Sequence, residues 1–122
     1  MKDCVFCKIV SGEIPSYKIY EDEKYLAFLD IMPGCEGHTL VIPKKHVQWV
    51  WDYENLGEYF EVVGKIARHI RKVSGEETIR MFVFGWDVPH AHVHLRKGRE
   101  DDWGHKRVSD EKLREVWKKY RM

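Results

Sequence analysis

Pro89-His90-Ala91-His92-Val93-His94-Leu95 alternates imidazoles with apolar side chains. In an extended strand alternate side chains share a face, so His90, His92 and His94 point one way while Ala91, Val93 and Leu95 pack the other way. A rise of ~3.3 Å per residue sets the outer two histidines about 13 Å apart at Cα. One metal ion at ~2 Å from each nitrogen would struggle to reach all three from a straight strand. Neighbouring members can share one small ligand, and the trio as a whole divides its roles. A neutral histidine, with an unperturbed pKa of ~6.5, is a workable nucleophile near neutral pH. Imidazole is also the commonest metal ligand, so a plain metal site is a competing reading. Interleaving with apolar residues in mid-chain speaks against an expression tag.

Outward from that strand, the apolar pattern changes period twice. Residues 17–21 and 25–30 read as strands joined by the polar turn Glu21-Asp22-Glu23-Lys24, a hairpin. Ile14-Pro15 closes the segment before it, because proline restricts itself and its predecessor. Pro33-Gly34-Cys35-Glu36-Gly37 is a loop in which both glycines are able to take positive φ. Residues 38–42 form a third strand, ended by Pro43. Leu56, Tyr59, Phe60, Val63, Ile66, Ala67, Ile70 and Val73 then recur at three and four, one face of a long helix. Asp52 is its expected N-cap and Gly75 its stop. Residues 78–84 read as a buried strand and 91–96 as the last one. Ser109 opens a C-terminal helix whose stripe is Leu113, Val116, Trp117 and Tyr120. Hairpins joined to helices give an α+β domain with a mainly antiparallel, five-stranded sheet.

With 122 residues the chain fits one domain, 1–122, with one hydrophobic core. Apolar residues at 43% and charged residues at 34% mark it as globular and not disordered. The net charge of +1 offers no basic field for nucleic acid. No apolar run approaches the ~20 residues that span a membrane. Met1-Lys2-Asp3-Cys4 carries no signal-peptide pattern, so the expected compartment is the cytoplasm. Three cysteines without a secretion signal argue against a disulfide framework. Cys4 and Cys7 form a C-x-x-C pair, half of a zinc site or a redox pair; Cys35 stands alone and carries no motif.

At this point the segments resemble a known family. Three histidines separated by single apolar residues look like the signature of the histidine triad (HIT) family. Cys4-Val5-Phe6-Cys7-Lys8-Ile9-Val10-Ser11-Gly12-Glu13-Ile14-Pro15 is similar to that family's N-terminal segment. Phe28-Leu29-Asp30-Ile31 resembles its nucleoside-binding strand, and Gly37-His38-Thr39-Leu40-Val41-Ile42-Pro43-Lys44-Lys45-His46 its central strand and turn. The resemblance spans a core of about 4–96; residues 97–122, an extension and helix, match weakly.

The resemblance implies a HIT-like fold of the small Hint-like type seen in bacteria and archaea. It also implies a two-fold homodimer and a purine nucleotide substrate. By position His92 is the nucleophile that attacks the α-phosphorus and carries a nucleotidyl intermediate, which water then hydrolyses. His94 and His38 would hydrogen-bond phosphate oxygens or the leaving group. Asp30 would accept from ribose hydroxyls, and Phe6, Ile9, Ile14, Phe28, Leu29 and Ile31 would line the base pocket. Cys4, Cys7, His46 and His90 would close a structural zinc site, with no organic cofactor. The implied activity is that of a histidine triad hydrolase of nucleoside phosphoramidase or dinucleoside polyphosphate hydrolase type. It would cleave a phosphoramidate, phosphoanhydride or adenylyl bond. A non-catalytic nucleotide-binding module and a metal-dependent hydrolase with the triad as ligands are the alternatives.

The approach to the triad, Phe84-Gly85-Trp86-Asp87-Val88-Pro89, departs from the family pattern. Trp86 stands where glutamine is usual and Asp87 where serine or threonine is usual. A carboxylate there would repel a phosphate unless protonated or paired, or else serve as a general acid or orient a histidine. After the triad, Arg96-Lys97-Gly98-Arg99 reads as a solvated loop, with a polyphosphate contact as the alternative.

Overall fold

Strand alternation builds the architecture, and the computed structural model describes it for residues 3–122. Met1 and Lys2, part of the segment read above as carrying no leader pattern, lie outside the described residues. The chain runs α1 (Val5–Ser11), β1 (Lys18–Glu21), β2 (Tyr25–Leu29), β3 (Thr39–Pro43), a 3-10 turn (Val50–Asp52), α2 (Leu56–Ser74), β4 (Ile79–Phe82), β5 (Val93–Lys97) and α3 (Asp110–Tyr120). The five strands form one sheet in the order β1-β2-β3-β5-β4, every neighbouring pair antiparallel. The expected α+β class and five-stranded antiparallel sheet are what the structure has.

The two faces of the sheet do different work. Tyr25, Ala27, Leu29, Val41, Ala91, Val93 and Leu95 pack under α2 (Tyr59, Val63, Ile66, Ile70) and α3 (Leu113, Val116, Tyr120) in the main core. Leu26, Phe28, Leu40 and Ile42 turn the other way and meet Cys4, Phe6 and Ile9 of α1. The histidines share this second face. Burial on both sides explains why β2 and β3 show no polar alternation.

Several boundaries differ from the sequence reading. α2 is capped by Asn55, whose side chain accepts from the Glu58 amide at 3.2 Å, and not by Asp52, which lies in the 3-10 turn. Gly75 does stop the helix, in the left-handed conformation at φ 74. Ser109 caps α3 as expected. α1 is a helix that the sequence pattern does not announce, since at seven residues it is too short to display a helical period. β4 is not a buried strand: it lies at the sheet edge, with Met81 52% exposed. An apolar run alone cannot report which strand has a neighbour on both sides. Gly34 does not take positive φ; Gly37 does, at φ 81. A Cβ on Gly34 would lie 2.6 Å from the His105 ring, so the loop and that side chain pack closely.

The last strand also starts late. Ladder pairing begins at Val93, although the chain was expected to pair from 91. The preceding backbone groups are taken elsewhere: the Ala91 amide donates to the Val47 carbonyl, and the His90 carbonyl accepts from a side chain. Beyond the triad the chain is not a solvated loop. β5 runs on to Lys97, and Arg96 is buried.

Candidate active site

Gly37, with a positive φ and with the Tyr120 ring 2.8 Å from where a Cβ would sit, feeds β3 so that His38 enters the second face. β5 pairs with β3 so that His94 lies opposite Leu40. The His38 and His94 rings are thereby joined, Nε2 to Nδ1, at 3.0 Å. A backbone amide decides which nitrogen holds each proton. The Gly34 amide donates to His38 Nδ1 at 3.0 Å, and an amide can only donate. The single proton of neutral His38 therefore sits on Nε2, which donates to His94 Nδ1. The proton of His94 is then on Nε2, buried and without a protein partner. Arg96 Nε lies 3.4 Å from His38 Nε2. Two donors cannot bond each other, so the shorter Gly34 contact decides, and the Arg96 contact is electrostatic.

The electrostatics agree with neutral rings. Burial, with Arg96 alongside, pushes the His38 pKa down to about 3. Burial, with His92 and Arg96 adding, pushes His94 down to about 4. The Arg96 guanidinium lies over the Phe82 ring at 4.4 Å and pairs with Asp101 at 2.8 Å, which also receives Arg80. It braces the histidine pair from behind.

His92 has the complementary arrangement. Its Nδ1 donates to the carbonyl of His90 at 2.7 Å, leaving a lone pair on Nε2. That atom is buried and has no hydrogen-bond donor facing it. Asp87 Oδ1 stands 3.2 Å away, but neutral His92 has no Nε2 proton to give it. The contact is between acceptors, apart from the imidazolium form. His92 and His94 thus present opposite functions on one face, a lone pair and an N–H, with ring centroids 5.0 Å apart.

Both rings open into a cavity of about 310 Å³. Phe6, Ile9, Ile14, Phe28, Leu29, Asp30, Ile31 and Asp87, read separately from the sequence, all border it. The side chain of Leu29 belongs to the main core on the other face. Ile31 is 43% exposed and lies at the rim. Asp30 Oδ1 accepts from the Met32 amide at 2.9 Å and caps its own turn; Oδ2 lies 3.6 Å from His38 Nε2. Burial raises the Asp30 pKa. A larger hollow of about 550 Å³ around Glu76, Lys97 and Asp102 contains no histidine.

His90 faces away from this cavity. Its Nδ1 lies 3.3 Å from Cys4 Sγ and 3.5 Å from Cys7 Sγ, and His46 Nδ1 lies 3.2 Å from Cys7 Sγ. All four ligand atoms are within 4.8 Å of one another. Zinc bonds of ~2.3 Å to sulfur and ~2.05 Å to nitrogen at tetrahedral angles set S···N at about 3.6 Å. The residues therefore fit the ion with only a slight expansion. His90 Nε2 donates to the Pro43 carbonyl at 2.8 Å, which leaves Nδ1 bare for a metal. Without one, burial and the neighbouring Cys4 push the Cys7 thiol up to about 11. Among the described residues, no ligand group contains all three triad histidines.

Sequence reasoning missed Gly34, Arg96 and Leu40. Leu40 was findable, since it shares a strand face with His38. The Gly34 amide and the Arg96 brace carried no signal, because both act through contacts that only the folded loops create.

The HIT domain family model matches residues 11–101. The chain is 43% identical over 118 residues to Protein hit of Bacillus subtilis, covering 84% of this chain and 77% of that protein. It is 36% identical over 106 residues to the adenosine 5'-monophosphoramidase of Saccharomyces cerevisiae, covering 83% of this chain and 66% of the yeast protein. A Hit-like protein from Bartonella henselae superposes with a TM-score of 0.89 at 35% identity, over 99% of this chain and 96% of that one. A zinc-bound histidine triad protein from Mycobacterium smegmatis superposes with a TM-score of 0.77 at 35% identity, over 97% and 93%.

Proposed function

The chain belongs to the HIT family, and from that premise we propose that it is a nucleotide hydrolase or nucleotidyl transferase acting at the α-phosphorus through His92. The observation that carries this reading is the split protonation of two neighbouring rings, a bare Nε2 on His92 and an Nε2–H on His94. A nucleophile and an oxyanion donor side by side over an apolar cavity suit displacement at phosphorus. The relation to the yeast adenosine 5'-monophosphoramidase favours a nucleoside monophosphate joined to a leaving group.

In the first step the His92 Nε2 lone pair forms a bond to phosphorus while the bond to the leaving group breaks. For a phosphoramidate, the departing nitrogen keeps that electron pair. It carries one proton already taken from solvent and leaves as a neutral amine. The imidazole holds the positive charge, shared with the His90 carbonyl through Nδ1–H. In the second step water adds to phosphorus, the N–P bond returns its pair to His92, and one proton goes back to solvent. His94 Nε2–H donates to a phosphoryl oxygen in both steps, and His38 keeps His94 in the donating tautomer. Asp30 Oδ2 is available to ribose hydroxyls.

The test is incubation with adenosine 5'-phosphoramidate, followed by rapid acid-free mass spectrometry. The expected result is a nucleotidyl adduct on His92 in the wild type. His92→Ala is expected to bind nucleotide but lose adduct and turnover. Full turnover in that variant rules the assignment out; tight binding by the wild type with no adduct favours the binding-module alternative.

Cys4, Cys7, His46 and His90 would hold a zinc ion, which would supply a structural cross-link between α1 and the histidine strand. The zinc-bound mycobacterial relative and the ligand geometry support it. We also propose a homodimer. Its support is the edge position of β4 in the sheet, together with the exposed side chains of Met81 on that strand and of Trp49 and Trp86 beside the site loop. A monomer mass by sedimentation velocity at micromolar concentration would count against it.

A further inference from the structure

Asp87 has no part in the two steps at phosphorus, yet it stands against the reacting ring. Its Oδ1 stands 3.2 Å from His92 Nε2, and the same oxygen accepts from the Val88 amide at 3.0 Å. A reacting phosphorus in a near-attack arrangement sits about 3–3.5 Å from its nucleophile. The carboxylate oxygen lies beside Nε2 but off the ring's hydrogen-bonding axis, so it flanks the place that the α-phosphorus must take. The side chain is about half exposed, so it has solvent to swing into. In-line displacement puts the leaving atom beyond phosphorus, on the extension of the line from Nε2. A leaving group so placed shares the cavity with the carboxylate, which stands 3.2 Å from the attacking nitrogen.

The surroundings reinforce its sign. Among the described residues no lysine or arginine lines the cavity, whereas two carboxylates do, Asp30 and Asp87. The nearest guanidinium, that of Arg96, is committed to Asp101 and the Phe82 ring. Beside Asp87, the indole of Trp86 is 78% exposed and its ring neighbours Phe84 at 5.2 Å. An exposed indole face attracts cations. The cavity therefore carries negative charge beside the reacting ring, with an exposed indole on the neighbouring residue of the same loop.

We propose that Asp87 is a specificity-determining residue that selects leaving groups bearing a protonated amine and rejects anionic ones such as phosphate. This inference rests on the reading of His92 as nucleophile. It narrows the substrate class to nucleoside monophosphates joined to an amine that carries a further cationic group. The charge balance of the two chemical steps is unchanged. Asp87 acts only on the charge of the group that departs, attracting an ammonium and repelling a phosphate.

The experiment compares two substrates that share one nucleotide. One is adenosine 5'-phosphoramidate N-linked to 1,3-diaminopropane, whose free end is an ammonium; the other is ADP, whose leaving group is phosphate. The wild type is expected to favour the amine substrate in kcat/KM. In Asp87→Asn and Asp87→Ser the ratio of the two values is expected to fall by about tenfold or more, and Asp87→Glu to restore most of it. A role only in holding the loop would lower both values together. An unchanged ratio in a folded variant, or a wild type that prefers ADP, overturns the proposal. A binding arm separates this from failure of the nucleophile reading. Calorimetry with ADP and with the aminopropyl phosphodiester of AMP needs no turnover. The wild type should bind the cationic ester more tightly, and Asp87→Asn should lose that preference. Equal affinities in wild type and variant overturn the proposal even where no adduct on His92 is found.

Discussion

An imidazole in water is half protonated near pH 6.5. Burial holds His38 and His94 neutral well below that, at about 3 and about 4. Between these values and about 6.5 the unfolded chain binds protons that the folded chain refuses, so stability rises with pH. The contribution is whole above the unfolded value and is lost as the pH falls through the window. Each ring costs about 1.4 kcal/mol per pH unit there. Urea denaturation between pH 6.5 and 4.5 should show a steep loss, and the loss should be shallower by about one proton in His38→Gln. The slope reads this whatever the variant's overall stability; an unchanged slope would sink the argument. The shared face of the three histidines was legible in the sequence, because strand alternation is local. Their proton positions were not. The Gly34 amide sets one ring and the His90 carbonyl the other, and neither contact exists until the loop before β3 and the stretch before β5 take their folded course.

Secondary-structure elements repeat the lesson at a longer range. The α2 stripe was legible because eight apolar residues kept one period. Its start was not, since Asp52 and Asn55 are both good capping residues and the sequence does not say which faces an amide. The fold answers with Asn55, accepting from Glu58, while Asp52 is exposed in a separate 3-10 turn. Asn55→Ala should therefore destabilise by about 1 kcal/mol, whereas Asp52→Ala should stay within about 0.5 kcal/mol. Thermal melts of the two variants check the contrast, and the reverse order would return the cap to Asp52. β5 shows why a correct strand can still mislead about function. The ladder begins at Val93, so His94 is fixed by pairing with β3 and β4, while His90 and His92 are held by other bonds. Freedom from the ladder lets His90 turn to the cysteines and His92 to the cavity.

At the scale of the whole molecule, the histidine strand links two sites that share no side chain. Phe6 of α1 packs edge-on against His92 at 5.2 Å and against Phe28 at 5.3 Å, so α1 forms one wall of the cavity. Besides its packing on the sheet, α1 is tied there by the contacts of Cys4 and Cys7 with His46 and His90, residues as much as 86 apart in the chain. Spacing in the sequence offered only a C-x-x-C half-site; the family resemblance supplied the two histidines, and the fold brings them together. An ion that binds only the folded cluster stabilises by mass action, about 4 kcal/mol at a thousandfold excess over its dissociation constant. For a chain of this size that corresponds to a rise in Tm on the order of 10 °C. The purified protein should therefore carry one zinc per chain, and stripping it with chelator should lower Tm by about that amount. Cys4→Ser should abolish the effect. The variant should also weaken nucleotide binding, because a loosened α1 carries Phe6 away from the base. His92 itself should stay competent, since Nδ1 bonds to the main-chain carbonyl of His90 and not to its imidazole. A metal-free protein with an unchanged Tm in chelator would leave the cysteine pair as simple core, and α1 would then owe its position to packing alone.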